Sequence, residues 1–206
     1  MNRTIWSEIM GINRHRMGTD GTGISTLVLF YGCPLNCRYC LNPRCKNKDT
    51  QCTSINPEHL VEILSVDDIY FQSTGGGVVF GGGEPLLQAE YINAVCKIMP
   101  KEWKKRVETS LNVSWDKVEL LIPYIDQWII DIKDSHQEIY KEYTGGDGLI
   151  VYENVMRLHE KIGKERITIR IPEIPGYNTE ENVIESMEIY SGIGTLDIFK
   201  YRKIGT

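Results

Sequence analysis

The sequence CPLNCRYC, residues 33–40, places three cysteines within eight positions, at Cys33, Cys37 and Cys40. It follows directly on the apolar run TLVLF at residues 26–30, a composition typical of a buried strand. A 4Fe-4S cluster takes one thiolate for each iron, so a compact set of three cysteines leaves one iron open to an outside ligand. The spacing therefore predicts an iron–sulfur cluster with Cys33, Cys37 and Cys40 as metal ligands and chemistry at the fourth iron.

Two other uses of cysteine fit the sequence less well. Zinc sites commonly pair two-cysteine knuckles with a second pair of ligands, and none of the four histidines lies in such an arrangement. Disulfide scaffolds are small and rich in cysteine, whereas this chain has six cysteines in 206 residues and opens with no charged segment followed by an apolar one. We therefore expect a reduced, cytoplasmic setting.

A closed cluster stays open as a further alternative. Cys45 and Cys52 follow the motif in a polar segment, and one of them could supply a fourth thiolate, which would give a cluster used only for electron transfer. Cys96 lies in an apolar run with helical spacing and is predicted to be a small buried residue.

Length and composition predict a single domain over residues 1–206. A chain of this length with 41% hydrophobic residues can bury one sizeable core, and no linker or change in charge divides it. The net charge of −5 argues against a nucleic-acid partner. No apolar run reaches membrane-spanning length, so we expect no membrane association.

Six short apolar, β-branched runs alternate with helical patterns, which is typical of a parallel sheet in an α/β protein. Because there are six units rather than eight, the expected fold class is α/β with a partial, TIM-like (β/α)6 barrel. The predicted strands are 25–31, 78–80, 106–111, 128–132, 166–171 and 197–201. The predicted helices are 57–66, 86–99, 114–122, 137–143, 152–162 and 180–190.

A glycine run, Gly81-Gly82-Gly83-Glu84-Pro85, follows the second predicted strand. Loops at the carboxyl ends of barrel strands build active sites, and missing side chains let backbone groups approach a ligand closely. A simple turn before the next helix is the alternative interpretation. Because the cysteine loop is predicted on the same rim, we favour a ligand site at Gly82, Gly83 and Glu84.

Charged residues on the later strands indicate what such a ligand carries. Asp131 and Lys133 lie two positions apart and therefore face the same side of the fourth strand. They could pair with each other or hold the amine and carboxylate of a zwitterion. On the fifth strand Arg170 alternates with isoleucines, and burying its charge without an anion would be costly. A ligand that bears a carboxylate would satisfy both strands.

The combination of these motifs resembles the radical S-adenosylmethionine superfamily. More narrowly, the chain resembles the glycyl-radical-enzyme activating enzymes, of which pyruvate formate-lyase activase is the familiar member. The superfamily resemblance rests on the cysteine motif, Gly82-Gly83-Glu84-Pro85, Arg170-Ile171-Pro172 and Pro175-Gly176. The narrower one runs from about Gly11 to the end and rests on residues 18–24, 83–88, 108–110, 131–133 and 174–178.

This resemblance implies a radical S-adenosylmethionine fold and a set of cofactor contacts. Cys33, Cys37 and Cys40 would bind three irons of one 4Fe-4S cluster, and S-adenosylmethionine would chelate the fourth through its amine and carboxylate. The implied contacts are Tyr39 at the adenine, Gly82, Gly83 and Glu84 at the amine, Lys133 and Arg170 at the carboxylate, and Thr109 and Asp131 close by, with room for a monovalent cation.

The resemblance also implies an anaerobic activity. A flavodoxin or ferredoxin would supply an electron that cleaves S-adenosylmethionine to methionine and a 5′-deoxyadenosyl radical. That radical would take hydrogen from a glycine of a partner glycyl radical enzyme, near Asp20, which makes the chain an oxidoreductase that activates its partner. Two other functions remain as alternatives: radical modification of a peptide or small molecule such as a deazapurine precursor, and plain electron transfer.

Three positions depart from the family pattern. Ser25 stands where the activases usually have arginine, and Leu41 stands where histidine is frequent. After Tyr201 the chain reads Arg202 in place of the histidine expected to contact adenine or ribose.

Overall fold

The computed structural model describes residues 5–201, whose strands form one eight-stranded sheet in the order β3-β1-β2-β4-β5-β6-β7-β8. All neighbouring pairs from β2 to β8 are parallel, whereas β1 pairs antiparallel with both β2 and β3. The strands are β1 Ser7–Met17, β2 Ile24–Phe30, β3 Thr53–Ile55, β4 Gly77–Gly82, β5 Lys104–Thr109, β6 Gln127–Asp131, β7 Ile167–Glu173 and β8 Thr195–Lys200.

The helices that connect the parallel strands cover the sheet. They are α1 Pro57–Ser65, α2 Asp68–Thr74, α3 Ala89–Ile98, α4 Trp115–Leu121, α5 Gln137–Thr144, α6 Gly148–Ile162 and α7 Glu180–Tyr190. Among residues 5–201, no helix is both long and apolar enough to span a lipid bilayer.

The predicted partial barrel is confirmed. Each of the six predicted strands corresponds to one of the six parallel strands β2 and β4 to β8, with ends that differ by at most two residues. The sheet stays open between its two edge strands, β3 and β8. Parallel strands need crossovers of a dozen or more residues, which is why each strand is followed by helix. The assignment of residues 1–206 to a single domain stays a prediction.

Three elements went unpredicted, namely β1, β3 and α2. The polar strand β1 lacks a regular alternation because register shifts interrupt its pairing with β2 between Ile9 and Gly11 and between Asn13 and Arg16. His15 lies within the second shift and has a positive φ of 56°. A bulge of this kind breaks the two-residue period from which strands are predicted.

Local sequence explains where several helices begin. Asn56 caps α1 by accepting a hydrogen bond from the His59 amide at 2.8 Å, and Pro57 takes the first helical position. The Asp147 carboxylate caps α6 in the same way by accepting a hydrogen bond from the Leu149 amide at 2.9 Å. Helix α6 therefore begins four residues before the predicted start at residue 152. Within the sheet, the central strand residues Val28, Phe80 and Ile130 are fully buried. This apolar core fixes the strands, and the carboxyl ends of the six parallel strands meet at one rim.

Candidate functional site

A cavity of about 610 Å³ opens at this rim. Its wall is formed by β1 and the segment that follows it, by β2, by the loops after β2 and β4, and by the carboxyl ends of β5 to β8. All eleven residues predicted as cluster or cofactor ligands lie on this wall: Cys33, Cys37, Tyr39, Cys40, Gly82, Gly83, Glu84, Thr109, Asp131, Lys133 and Arg170. The structure therefore brings the predicted site residues together, and their individual roles stay predictions.

The cysteine loop is held in place by backbone hydrogen bonds to the end of α5. The Asn36 amide donates to the Thr144 carbonyl at 2.6 Å, and the Arg38 amide donates to the Tyr143 carbonyl at 3.1 Å. Leu35, only 3% exposed, anchors the same loop in the core. Because the middle of the loop is tied to α5 and to the core, the three thiols keep a fixed arrangement on the cavity wall.

All six cysteines of the chain are free thiols, and three share the cavity. Cys33 and Cys37 are half-buried, whereas Cys40 is exposed. Among residues 5–201, no three His, Cys, Asp or Glu side chains converge closely enough to hold a single metal ion. An iron–sulfur cluster instead takes one thiolate at each iron, and three separated thiols on one loop fit that requirement.

Cys45 lies behind the cysteine loop rather than on the cavity wall. Its side chain is 1% exposed, and its carbonyl accepts a hydrogen bond from the Gly32 amide at 2.9 Å. The hydrogen bond from Cys45 lowers the pKa of Cys40 to about 6, although burial acts against it. Burial raises the pKa of Cys37 to about 11. This position favours a supporting role for Cys45 over that of a fourth ligand.

The glycine run after β4 lets two loops approach closely. Gly82 has a φ of +95°, which side-chain-bearing residues rarely adopt. A Cβ at Gly83 would lie 2.1 Å from the Gly32 carbonyl oxygen, so any side chain there would push the cysteine loop away. The Glu84 amide donates to that same carbonyl at 2.8 Å. Glycine at both positions thus joins this loop to the cysteine loop.

The carboxylate of Glu84 is buried and fully engaged by protein donors. Glu84 is 1% exposed and accepts hydrogen bonds from Leu86, Thr109 and Ser110. The Thr109 hydroxyl lies at 2.7 Å, the Ser110 amide at 2.9 Å and the Ser110 hydroxyl at 2.7 Å. Burial raises the pKa of Glu84, while these hydrogen bonds oppose the rise. The sequence analysis predicted that Glu84 contacts the cofactor. In the structure, its carboxylate binds Thr109 and Ser110 and so joins the end of β4 to the end of β5.

Two cationic side chains face the cavity from neighbouring strands. The Lys133 ammonium lies 3.3 Å from the Asp131 carboxylate, and the side chain is 18% exposed. The Arg170 guanidinium donates to Glu108 at 3.0 Å and to the Thr19 carbonyl, and its Nε lies 3.4 Å from Asp197. Arg170 is thus largely occupied by the protein, whereas Lys133 keeps donors for an anionic ligand.

The sequence analysis assigned no role in the site to Arg16 or Glu108, and both line the cavity. The Arg16 guanidinium makes two hydrogen bonds to Asp20, at 2.5 and 2.7 Å, and lies 3.6 Å from Glu108. Ser25, which stands in place of the family's arginine, donates to Asp20 at 2.7 Å. The chain therefore supplies a guanidinium for Asp20 from β1. Because β1 itself went unpredicted, the signal for this network was Glu108, a charged residue between the buried Val107 and Thr109 of β5.

The Asp20 network makes a pH-dependent contribution to stability. Burial disfavours the Asp20 carboxylate, but the hydrogen bonds from Arg16 and Ser25 and the charge of Arg16 outweigh it and lower the pKa to about 2. An acid whose pKa is lowered by folding stabilises the fold above its unfolded pKa and loses that contribution as pH falls through its folded pKa.

We expect Asp20→Asn to lower the free energy of unfolding by about 2 kcal/mol at neutral pH, the size of a charged hydrogen-bond network. Urea unfolding of both proteins at about pH 7 and pH 3 measures the effect. The difference in the free energy of unfolding between wild type and Asp20→Asn should be smaller at pH 3 than at pH 7. A difference that does not change with pH would show that ionisation of Asp20 does not stabilise the fold.

Four tyrosines line up beside the cysteine loop. The ring of Tyr39 lies 5.7 Å from Tyr177, 6.0 Å from Tyr143 and 6.1 Å from Tyr201, measured between centroids. The Tyr39 hydroxyl also donates to the Pro175 carbonyl at 3.3 Å. These rings form an aromatic wall where the adenine contact was predicted, and flat apolar faces suit a nucleobase. Arg202, which stands in place of the histidine that the resemblance leads us to expect, lies outside the residues that the structure describes.

Comparison with known proteins assigns a family to this site. A family model for the radical SAM superfamily matches residues 27–187. Pyruvate formate-lyase-activating enzyme of Clostridium pasteurianum is 30% identical over 197 residues, which covers 90% of this chain and 82% of that protein. The (2S)-3-sulfopropanediol dehydratase activating enzyme of Klebsiella oxytoca is 28% identical over 272 residues, which covers 100% of this chain and 85% of that protein.

Solved structures agree with the sequence comparisons. A domain of pyruvate-formate lyase-activating enzyme from Bacteroides vulgatus superposes with a TM-score of 0.52 at 28% identity, covering 60% of this chain and 78% of that one. Streptococcus suis SuiB bound to S-adenosylmethionine superposes with a TM-score of 0.66 at 18% identity, covering 84% and 39%. The second likeness shows a shared fold alone.

Proposed function

The chain belongs to the radical SAM superfamily, and from this membership we propose that it activates a glycyl radical enzyme. The observation that carries the proposal is the convergence of all eleven predicted ligands on one cavity wall. Curated relatives that cover at least 90% of this chain are activating enzymes of glycyl radical enzymes, which favours a protein substrate over a small molecule.

Three thiols on the wall would hold the cluster. Cys33, Cys37 and Cys40 share one rigid loop, and the cation of Lys133 lies close enough to Cys37 and Cys40 to favour their ionised forms. When bound, the cluster supplies the electron that cleaves S-adenosylmethionine to methionine and a 5′-deoxyadenosyl radical. Thiolates are the ligands that such clusters take, so the donor set fits the group.

The remaining wall residues would orient S-adenosylmethionine. Lys133, with Arg170 beside it, offers positive charge to the carboxylate. Because the Glu84 oxygens are occupied, we assign the amine to the backbone carbonyls of Gly82 and Gly83, with Glu84 positioning that loop. Tyr39 would border the adenine. Thr109 and Asp131 complete this side of the wall, where a monovalent cation could also be held.

The mouth of the cavity would receive the glycine loop of the partner enzyme. Arg16, Thr19 and Glu108 line the cavity, and Asp20 is buried beside Arg16. Their paired charges hold the segment between β1 and β2 against β5 and β7 without presenting a free charge to an uncharged glycine loop. We propose an oxidoreductase of this type working anaerobically in a reducing, cytoplasmic compartment, with a flavodoxin or ferredoxin as reductant. The six free thiols support that setting.

Anaerobic reconstitution tests this function. The cluster is reduced with dithionite, S-adenosylmethionine is added, and both the electron paramagnetic resonance spectrum and 5′-deoxyadenosine are measured. We expect the spectrum to change and 5′-deoxyadenosine to form. An unchanged spectrum without product would rule out radical chemistry and leave plain electron transfer.

A second measurement separates the possible substrates. Mixing with a glycyl radical enzyme encoded beside this chain should produce the doublet signal of a glycyl radical. Steady turnover of S-adenosylmethionine with a peptide or small molecule, and no such doublet, would instead favour the modifying enzymes of the superfamily.

A further inference from the structure

The segment that carries the cysteines has a charge opposite to that of the chain. Residues 33–52 contain four cationic side chains and one anionic side chain, Asp49, in a chain whose formal net charge is −5. The cationic residues, which we call the basic patch, are Arg38, Arg44, Lys46 and Lys48. All four are exposed. Among residues 5–201, none of them lies within 4.0 Å of a carboxylate oxygen, so their charge is not cancelled by an ion pair.

The basic patch folds directly onto the cysteine loop. The Lys46 ammonium donates to the Leu35 carbonyl at 2.7 Å and to the Asn36 side chain at 3.2 Å. Residues 43–46 form a short 3-10 turn, whose Cys45 carbonyl is bound by the Gly32 amide. Arg38 lies within the motif itself. The patch is therefore a fixed part of the surface around the cluster ligands.

The patch and the cavity are distinct surfaces. None of its four residues lies on the cavity wall, whereas the three cysteine ligands do. Cys40 is at once on the wall and exposed to solvent. A protein could thus approach the cluster from the patch while the cavity mouth stays open to a different protein.

We propose that the basic patch is the docking surface of an acidic protein that carries a low-potential one-electron centre. This inference rests on the proposed function, which needs an electron at the cluster. An electron donor must come close to the thiolates, and Cys40 offers an exposed one beside the patch. Complementary charge at the rim of an interface speeds association and orients the partner. The positive charge of the patch therefore complements a negative surface on the partner, although this chain as a whole carries a net charge of −5.

Charge reversal at the edge of the patch provides the test. Arg44→Glu combined with Lys48→Glu reverses two exposed charges and leaves Lys46 bound to the loop. The matched control is Lys97→Glu combined with Lys101→Glu, which makes the same change in net charge. These lysines are exposed at the end of α3, before the amino end of β5 and away from the rim.

Binding of a reduced bacterial flavodoxin to the reconstituted protein gives the first measurement. At about 0.05 M salt, we expect the patch variant to bind with a Kd at least about tenfold higher than wild type, and the control to bind like wild type. The difference should shrink at about 0.5 M salt, where charges are screened within a few ångströms. Stopped-flow absorbance should show the same pattern for reduction of the cluster by flavodoxin.

Dithionite separates the outcomes because this small reductant needs no docking surface. We expect the patch variant to form 5′-deoxyadenosine with dithionite as fast as wild type. Equal flavodoxin binding by the patch variant and wild type would overturn the proposal. A loss of glycyl radical formation with dithionite would also overturn it, since the patch would then bind the protein substrate. Failure of every variant, wild type included, to cleave S-adenosylmethionine would refute the proposed function itself.

Discussion

Replacing Cys37 with alanine is expected to remove the cluster and with it all formation of 5′-deoxyadenosine. Each iron of a 4Fe-4S cluster takes its own thiolate, and the cysteine loop offers no other sulfur on the cavity wall in place of Cys37. The loss of activity should exceed the roughly 10- to 100-fold effects of substituting a residue that only hydrogen-bonds to a metal ligand. Iron and sulfide content, together with the visible absorbance after reconstitution, measures the result without relying on activity.

Two other cysteines provide matched controls. Cys52→Ala should leave a full cluster because Cys52 is remote from the cavity, its thiol directed to the Thr50 carbonyl at 3.7 Å. Cys45→Ala should also retain iron, since Cys45 contacts Cys33 and Cys40 from behind. Loss of iron in Cys45→Ala would restore the closed-cluster alternative, and a full cluster in Cys37→Ala would refute the assigned ligands.

Glu84→Ala is expected to destabilise the fold by about 3 kcal/mol, because it leaves several buried donors without an acceptor. The Thr109 hydroxyl and both donors of Ser110 now point at the Glu84 carboxylate, and all three residues are buried. For a chain of this length, such a loss lowers Tm by about 10 °C. Thermal unfolding of the protein before cluster reconstitution measures this effect apart from any cofactor.

A second variant distinguishes the hydrogen-bond network from simple loss of packing. Ser110→Ala, added to Glu84→Ala, removes one of the stranded hydroxyl donors and should recover part of the lost stability. We also expect Glu84→Gln to fold while binding S-adenosylmethionine more weakly, since an amide matches only part of the network. If Glu84→Ala unfolds like wild type, the carboxylate does not join β4 to β5 in the way described.

The alternation of strands and helices was predictable because it rests on local pattern. Buried parallel strands read as continuous apolar runs, such as residues 26–30 and 128–130, and their helices begin at recognisable caps such as Asn56. The polar strand β1 was not predictable, since its bulge at His15 disrupts the alternation of residues along the strand. With β1 missed, Arg16 and its pairing with Asp20 were missed as well.

By itself, the sequence determined the fold class and the cysteine, glycine and charged residues that share the rim. These features follow from spacing along the chain. Each motif directly follows or ends a parallel strand, and the carboxyl ends of parallel strands lie at the same edge of the sheet. Only the tertiary structure decided their partners. Glu84 turned out to be held by β5, and Arg170 by Glu108 and Thr19. Such pairings depend on burial and on contacts between distant segments, which become defined only when the core closes.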